Sequence, residues 1–116
     1  MSPSAPLVQN LLMPVGRKVS QEITEWLLQG SEFQLQRIVS TGQATPAEQW
    51  YDQETEEWVV LLQGQAEILF AGSPHPVLLQ VGDFLNIPAH CRHRVQWTDR
   101  DRETVWLVLH YKTEKV

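Results

Sequence analysis

Turn-forming residues interrupt this chain so often after residue 32 that no helix-length segment is left between them. Ser40-Thr41-Gly42, the 44–48 loop with Pro46, Gln63-Gly64, Ala71-Gly72-Ser73-Pro74, Gly82-Asp83 and Pro88 each close a short run of β character. Within those runs Phe33 and Leu35 alternate with Gln34 and Gln36, and Ala66, Ile68 and Phe70 share one parity. His93, Val95 and Trp97 alternate with Arg94 and Gln96. Residues 58–62, 77–81 and 84–87 are apolar runs of strand length, and 104–111 is apolar on both parities, which predicts a central strand. Strands this close together leave no room for the crossover helices of a parallel sheet. About seven to eight of them predict an antiparallel sandwich or barrel.

Ahead of these strands the period is helical. Ser20 reads as an N-cap, Glu22 and Glu25 fall near the positive end of a helix dipole, and Ile23, Trp26 and Leu27 lie at i, i+3 and i+4. Gly30 supplies the stop, so the pattern predicts one short N-terminal helix of about two to three turns. Residues 1–17 carry Pro3, Pro6, Pro14 and Gly16, yet Leu7, Val8, Leu11, Leu12 and Met13 are too apolar for a solvated tail. That segment is expected against a sheet, of its own subunit or of a partner. The 116 residues make one domain, with an extension and helix over 1–31 and a barrel over 32–116.

Charge and composition narrow the function classes. The net charge is −5 and the nine Lys and Arg residues are scattered or interleaved with acids, so no basic patch offers itself to nucleic acid. No uninterrupted apolar run approaches the ~18 residues of a membrane span, and the N-terminus lacks the cationic segment of a signal peptide. The single cysteine rules out an internal disulfide. A cytoplasmic location is the expectation.

Gly82, Pro88, His90 and His93 are spaced in a way that resembles the second motif of the cupin superfamily, G-x5-P-x-G-x2-H-x3-N. His90 stands at its glycine and Trp97 at its asparagine. Gly42, Glu57 and Gly64 resemble what remains of the first motif, G-x5-H-x-H-x3,4-E-x6-G. Its two histidines are absent: Trp50 and Asp52 occupy their places, or Tyr51 and Gln53 under the shorter spacing. The stretch Trp50-Tyr51-Asp52-Gln53, with Glu57-Trp58-Val59-Val60, Ile87-Pro88-Ala89-His90 and Arg92-His93-Arg94-Val95, is similar to a subgroup of small bacterial cupins. The resemblance runs from Gly42 to Tyr111. It implies an all-β, double-stranded antiparallel β-helix, a jelly-roll barrel.

In that family the first-motif glutamate and the second-motif histidine point into the barrel and hold a divalent metal. The resemblance therefore implies Glu57 and His93 as metal ligands, with Asp52 as a substituted ligand and His90 as a further nitrogen. Such a set suits Fe, Mn, Zn or Ni. Strand parity agrees, since Val59 and Leu61 share the face of Glu57, and Val95 and Trp97 that of His93. Trp50, Tyr51, Trp97 and His110 are candidates for a substrate pocket.

Each of these residues has a plainer role available. His93 is then a hydrogen-bonded core histidine, His90 and Asp52 are solvated, Glu57 pairs with Arg92 or Arg94, and His110 packs in the core. His75, between two prolines, reads as an exposed loop residue. Cys91 has no oxyanion hole beside it that would make it a nucleophile.

Two functions stay open: a metal-dependent small-molecule enzyme, such as an oxygenase, isomerase or lyase, and a metal-independent barrel that binds a small ligand without catalysis. Trp58, Val60 and Leu62 carry the parity opposite to Glu57 and predict an apolar outer face. A homodimer is the expected cover for it.

Overall fold

The computed structural model describes residues 5–16 and 20–113, and within them the chain is all-β. The strands are β1 (Ile23–Gln29), β2 (Phe33–Ser40), β3 (Glu56–Gln63), β4 (Ala66–Phe70), β5 (Val77–Leu79), β6 (Phe84–Ile87), β7 (His93–Thr98) and β8 (Thr104–Tyr111). All their pairings are antiparallel. Five strands form one sheet in the order β1-β2-β8-β3-β6, and three form a second in the order β5-β4-β7. Each strand-length run after residue 32 becomes a strand. β8, apolar on both parities, is the centre of the larger sheet.

The core lies between the sheets and is filled by every second residue of the facing strands. Val59 and Leu61 from β3, Ala66 and Ile68 from β4, and Trp106 and Val108 from β8 pack there with Leu79 and Ile87. Full burial of each large aliphatic side chain contributes about 1.5–3 kcal/mol. The Trp106 indole donates to Ser40 Oγ at 3.0 Å, so its N–H is not left bare in the core. Gly64, in the β3–β4 turn, has a steric reason to be glycine. It sits at φ +83°, and a Cβ there would lie 2.7 Å from the Thr104 Cα.

The predicted N-terminal helix is not formed: residues 23–29 are β1, hydrogen-bonded along β2. Ile23 and Leu27, four apart, share a face in a helix and also in a strand, so half of the helical signal was ambiguous. The free edge of β2 settles it, because it offers residues 23–29 a ladder partner that an isolated short helix lacks. The register slips between Trp26 and Leu28, a β-bulge at Leu27. Trp26 and Leu28 remain more than half exposed.

The N-terminal segment rests on its own sheet. Arg37, buried on the outer face of β2, pairs with Glu25 at 2.6 Å and donates to the carbonyls of Leu11 and Met13 at 2.8 and 3.0 Å. The backbone N–H groups of Val15 and Gly16 donate to the two carboxylate oxygens of Glu103. Among the described residues no helix is long and apolar enough to cross a membrane.

Candidate functional site

β7 carries His93 inward because Val95 and Ile68, and His93 and Phe70, are register partners across β4 and β7. The imidazole is buried, stacked on Tyr51 with ring centroids 5.5 Å apart and flanked by Phe70 at 6.2 Å. Tyr51 is held there by a two-way backbone bridge: its N–H donates to the His93 carbonyl at 2.7 Å and its carbonyl accepts from the His93 N–H at 3.1 Å. The His93 Nδ1–H donates to the Cys91 carbonyl at 2.9 Å, so Nε2 presents a lone pair to the interior. Cys91 acts through its carbonyl, and its thiol is free.

Glu57 enters from β3 and His110 from β8, as direct cross-strand partners. One carboxylate oxygen, Glu57 Oε1, lies 3.8 Å from His93 Nε2 and 4.0 Å from His110 Nδ1. His110 uses its other nitrogen toward β2, donating from Nε2 to the buried Gln36 Oε1 at 3.1 Å. Both imidazoles are thus anchored through an N–H on the far side and turn bare nitrogens toward the same carboxyl group.

Burial decides the protonation of all three. It pushes the Glu57 carboxyl up to about 7 and lowers both histidines, against the Cys91 hydrogen bond in the case of His93 and with the nearby charge of His93 in the case of His110. The Tyr51 phenol is raised by burial and by the charges of Glu22 and Glu57, against a hydrogen bond to Thr45.

These groups line a cavity of about 240 Å³ between the sheets. That is the volume of about eight water molecules. Ile38, Val59, Ile68, Val95, Trp106 and Val108 form its apolar wall, Gln36 and Gln53 add polar groups, and Glu22 and Thr24 also line it.

Of the residues proposed from sequence, Glu57, His93, Tyr51 and His110 line the cavity. Asp52 and His90 do not. They face outward, half and two-thirds exposed, where the His90 Nδ1–H donates to Asp52 Oδ1 at 2.8 Å. The His90 backbone N–H also donates to the Gln53 carbonyl at 2.7 Å, which ties the 52–53 loop to the turn after β6. Trp50 lies outside as well, with the Arg92 and Arg94 guanidinium carbons 5.7 and 5.9 Å from its ring.

Trp97 is turned away by a bulge. The register passes from Ile68–Val95 to Glu67–Trp97 and leaves Gln96 unpaired, which puts Thr98 on the inner parity instead.

Gln36, Gln53, Glu22 and Thr24 were not singled out from sequence. Gln36 shares parity with Ile38 in β2, and Gln53 and Tyr51 occupy the two empty histidine positions under the shorter motif spacing. Glu22 and Thr24 fell inside the expected helix and carried no such signal.

A cavity of this kind inside an antiparallel jelly roll, with a glutamate of β3 facing a histidine of β7, defines the class of small barrel proteins to which the motifs pointed. The fold is that of a solved protein from Ralstonia eutropha JMP134, a putative mannose-6-phosphate isomerase. The two are 42% identical over 93% of this chain and 100% of that one, with a TM-score of 0.89. A cupin superfamily protein from Desulfitobacterium hafniense DCB-2 matches with a TM-score of 0.69 at 19% identity, over 85% of this chain and 84% of that one. An RmlC-like cupin with a double-stranded β-helix fold from Methanocaldococcus jannaschii gives 0.66 at 15%, over 85% and 87%. No protein-family model matches the sequence, and no curated protein does. The chain belongs to the cupin superfamily.

The family implies a divalent metal, and the donors here can be tested against one. Among the described residues no group of three or more His, Cys, Asp or Glu side chains is placed to hold an ion. Glu57, His93 and His110 come nearest, but an ion about 2.1 Å from each donor would hold neighbouring donors about 3.0–3.4 Å apart. The observed separations are 3.8 and 4.0 Å, and Tyr51 and Gln53 stand where two histidines would complete the set. The residues present do not fit a resident metal.

Proposed function

We propose that the protein is a cupin that binds a small molecule inside its barrel and works without a resident metal. The observation that carries this reading is the cluster of Glu57, His93 and His110 in a cavity that also has an apolar wall. Glu57 faces two anchored imidazoles whose free nitrogens both point at it. A protonated Glu57 donates a hydrogen bond to an acceptor on the ligand, an ionised one accepts, and Gln36, Gln53 and Tyr51 add neutral partners that fix orientation. The name of the Ralstonia relative suggests a phosphorylated sugar. Among the described residues the cavity wall contains no Lys or Arg, so such a ligand would find no cationic partner among them for its phosphate.

Elemental analysis of protein purified without a metal-affinity tag tests the metal-independent reading. Fe, Mn, Ni and Zn are each expected well below one per chain. A stoichiometric metal that disappears in His93→Ala would overturn it.

We also propose that a second copy of the chain covers the outer face of the larger sheet. Trp58 and Phe84 pack there with ring centroids 5.7 Å apart, Val60 and Leu109 are only half-buried, and Phe84 is 66% exposed. A row of this kind left in water is an association surface. Trp58→Glu is expected to elute as a monomer where the native chain elutes as a dimer; a variant that still elutes as a dimer places the contact elsewhere.

A further inference from the structure

The cavity is one-sided in charge. Among the described residues its lining includes two carboxylates, Glu22 and Glu57, and no Lys or Arg; the groups that face Glu57 are the imidazoles of His93 and His110 and the Tyr51 ring. Hydrogen bonds that use one nitrogen of each imidazole leave the other as an acceptor, so neither ring presents a positive group to a ligand. An anion placed here would lose its water and gain no countercharge, whereas a cation would meet carboxylate oxygens and aromatic faces.

A second depression adjoins the cavity. Glu22, Tyr51 and Val95 line the barrel cavity and also a neighbouring depression of about 430 Å³ formed with Gln43, Thr45 and Pro46. The two spaces adjoin at these shared residues. One carboxylate therefore borders both spaces and the other lines the barrel cavity, with Tyr51 beside both and Trp106 also in the cavity lining.

We propose that the barrel takes a small organic cation, an alkylammonium with a short carbon chain, which passes Glu22 and Tyr51 and seats its charge at Glu57 against the lone pairs of His93 and His110. The apolar wall receives the carbon chain. This rests on the small-molecule reading above and adds the sign of the ligand's charge.

The probes are three molecules of similar size and different charge: n-butylammonium, 1-pentanol and butyrate. Each is titrated into the full-length protein by calorimetry in buffer containing EDTA. Butylammonium is expected to bind about tenfold or more tighter than pentanol, with butyrate weakest. Glu57→Gln, which keeps the shape and removes the charge, should bring butylammonium down to the level of pentanol while pentanol binding is retained. Glu22→Gln should weaken butylammonium by a smaller factor.

Pentanol or butyrate binding as tightly as the amine would overturn the proposal and leave the small-molecule reading standing. So would an amine affinity unchanged in Glu57→Gln. Amine binding that appears only when a divalent metal is restored would overturn it in favour of a metal site. Saturable binding by none of the three would overturn both the proposal and the reading it rests on.

Discussion

The molecule places a carboxylate beside imidazole in two locations, with opposite results. At the rim, Asp52 and His90 make a direct hydrogen bond at 2.8 Å with side chains 49% and 66% exposed. Inside, Glu57 and His93 stand 3.8 Å apart with side chains 13% and 5% exposed. The rim pair has the shorter contact, but water screens both partners and competes for their hydrogen bonds. The inner pair lacks a direct bond, yet burial alone moves the Glu57 carboxyl up to about 7 and lowers His93. Chemistry in this barrel follows desolvation rather than contact distance.

Stability as a function of pH separates the two pairs most widely. In the folded chain Glu57 keeps its proton to about pH 7, while in the unfolded chain it loses it near 4.5. Between those values the folded state binds more protons, so Glu57 makes stability fall as pH rises through that window. Above pH 7 the full penalty is on the order of 3 kcal/mol. Glu57→Gln removes it, and denaturant melts of metal-free protein should show the variant more stable than the native chain at pH 8 and no different at pH 4. His93 and His110 act in the other direction, destabilising the fold as pH drops below 6.5, and they cancel in this comparison because both proteins contain them. Asp52→Asn should change stability by less than about 1 kcal/mol throughout. A rim effect as large as the inner one would break the contrast.

The smallest expected effect is at His90, which holds φ +62° in the turn where the family motif has glycine. His90→Gly relieves a left-handed backbone worth about 1–2 kcal/mol. It also gives up the surface pair and adds unfolded-chain entropy of about 0.5–1 kcal/mol. Melts should show a net change within about 0.5 kcal/mol. A loss of several times that would mean that the rim pair supports the barrel after all.

The sequence made most of the barrel readable, because period-two patterning and Gly, Pro and Asp turns are local signals. The strands from β2 to β8 and the central place of β8 follow from them, while the inward Glu57 and His93 come from the resemblance to the cupin motifs, with which strand parity agrees. What it hid was set by partners distant along the chain. The residues of β1 look helical until the open edge of β2 is available to them. Trp97 shares parity with His93 on paper, and one unpaired residue, Gln96, reverses it. Tyr51 and Gln53 point inward rather than Trp50 and Asp52, because a backbone bridge from Tyr51 to His93 fixes the parity of that loop. Within the motif spacing alone, both alternatives were equally open.

The central claim is that a carboxyl group inside the barrel titrates near neutrality beside two neutral imidazoles. A ¹³C titration of glutamate side-chain carboxyls in metal-free protein, with the Glu57 signal assigned by its absence in Glu57→Gln, measures this directly. A midpoint of about 7 is expected. A midpoint at the ordinary carboxylate value of 4.5 would contradict it.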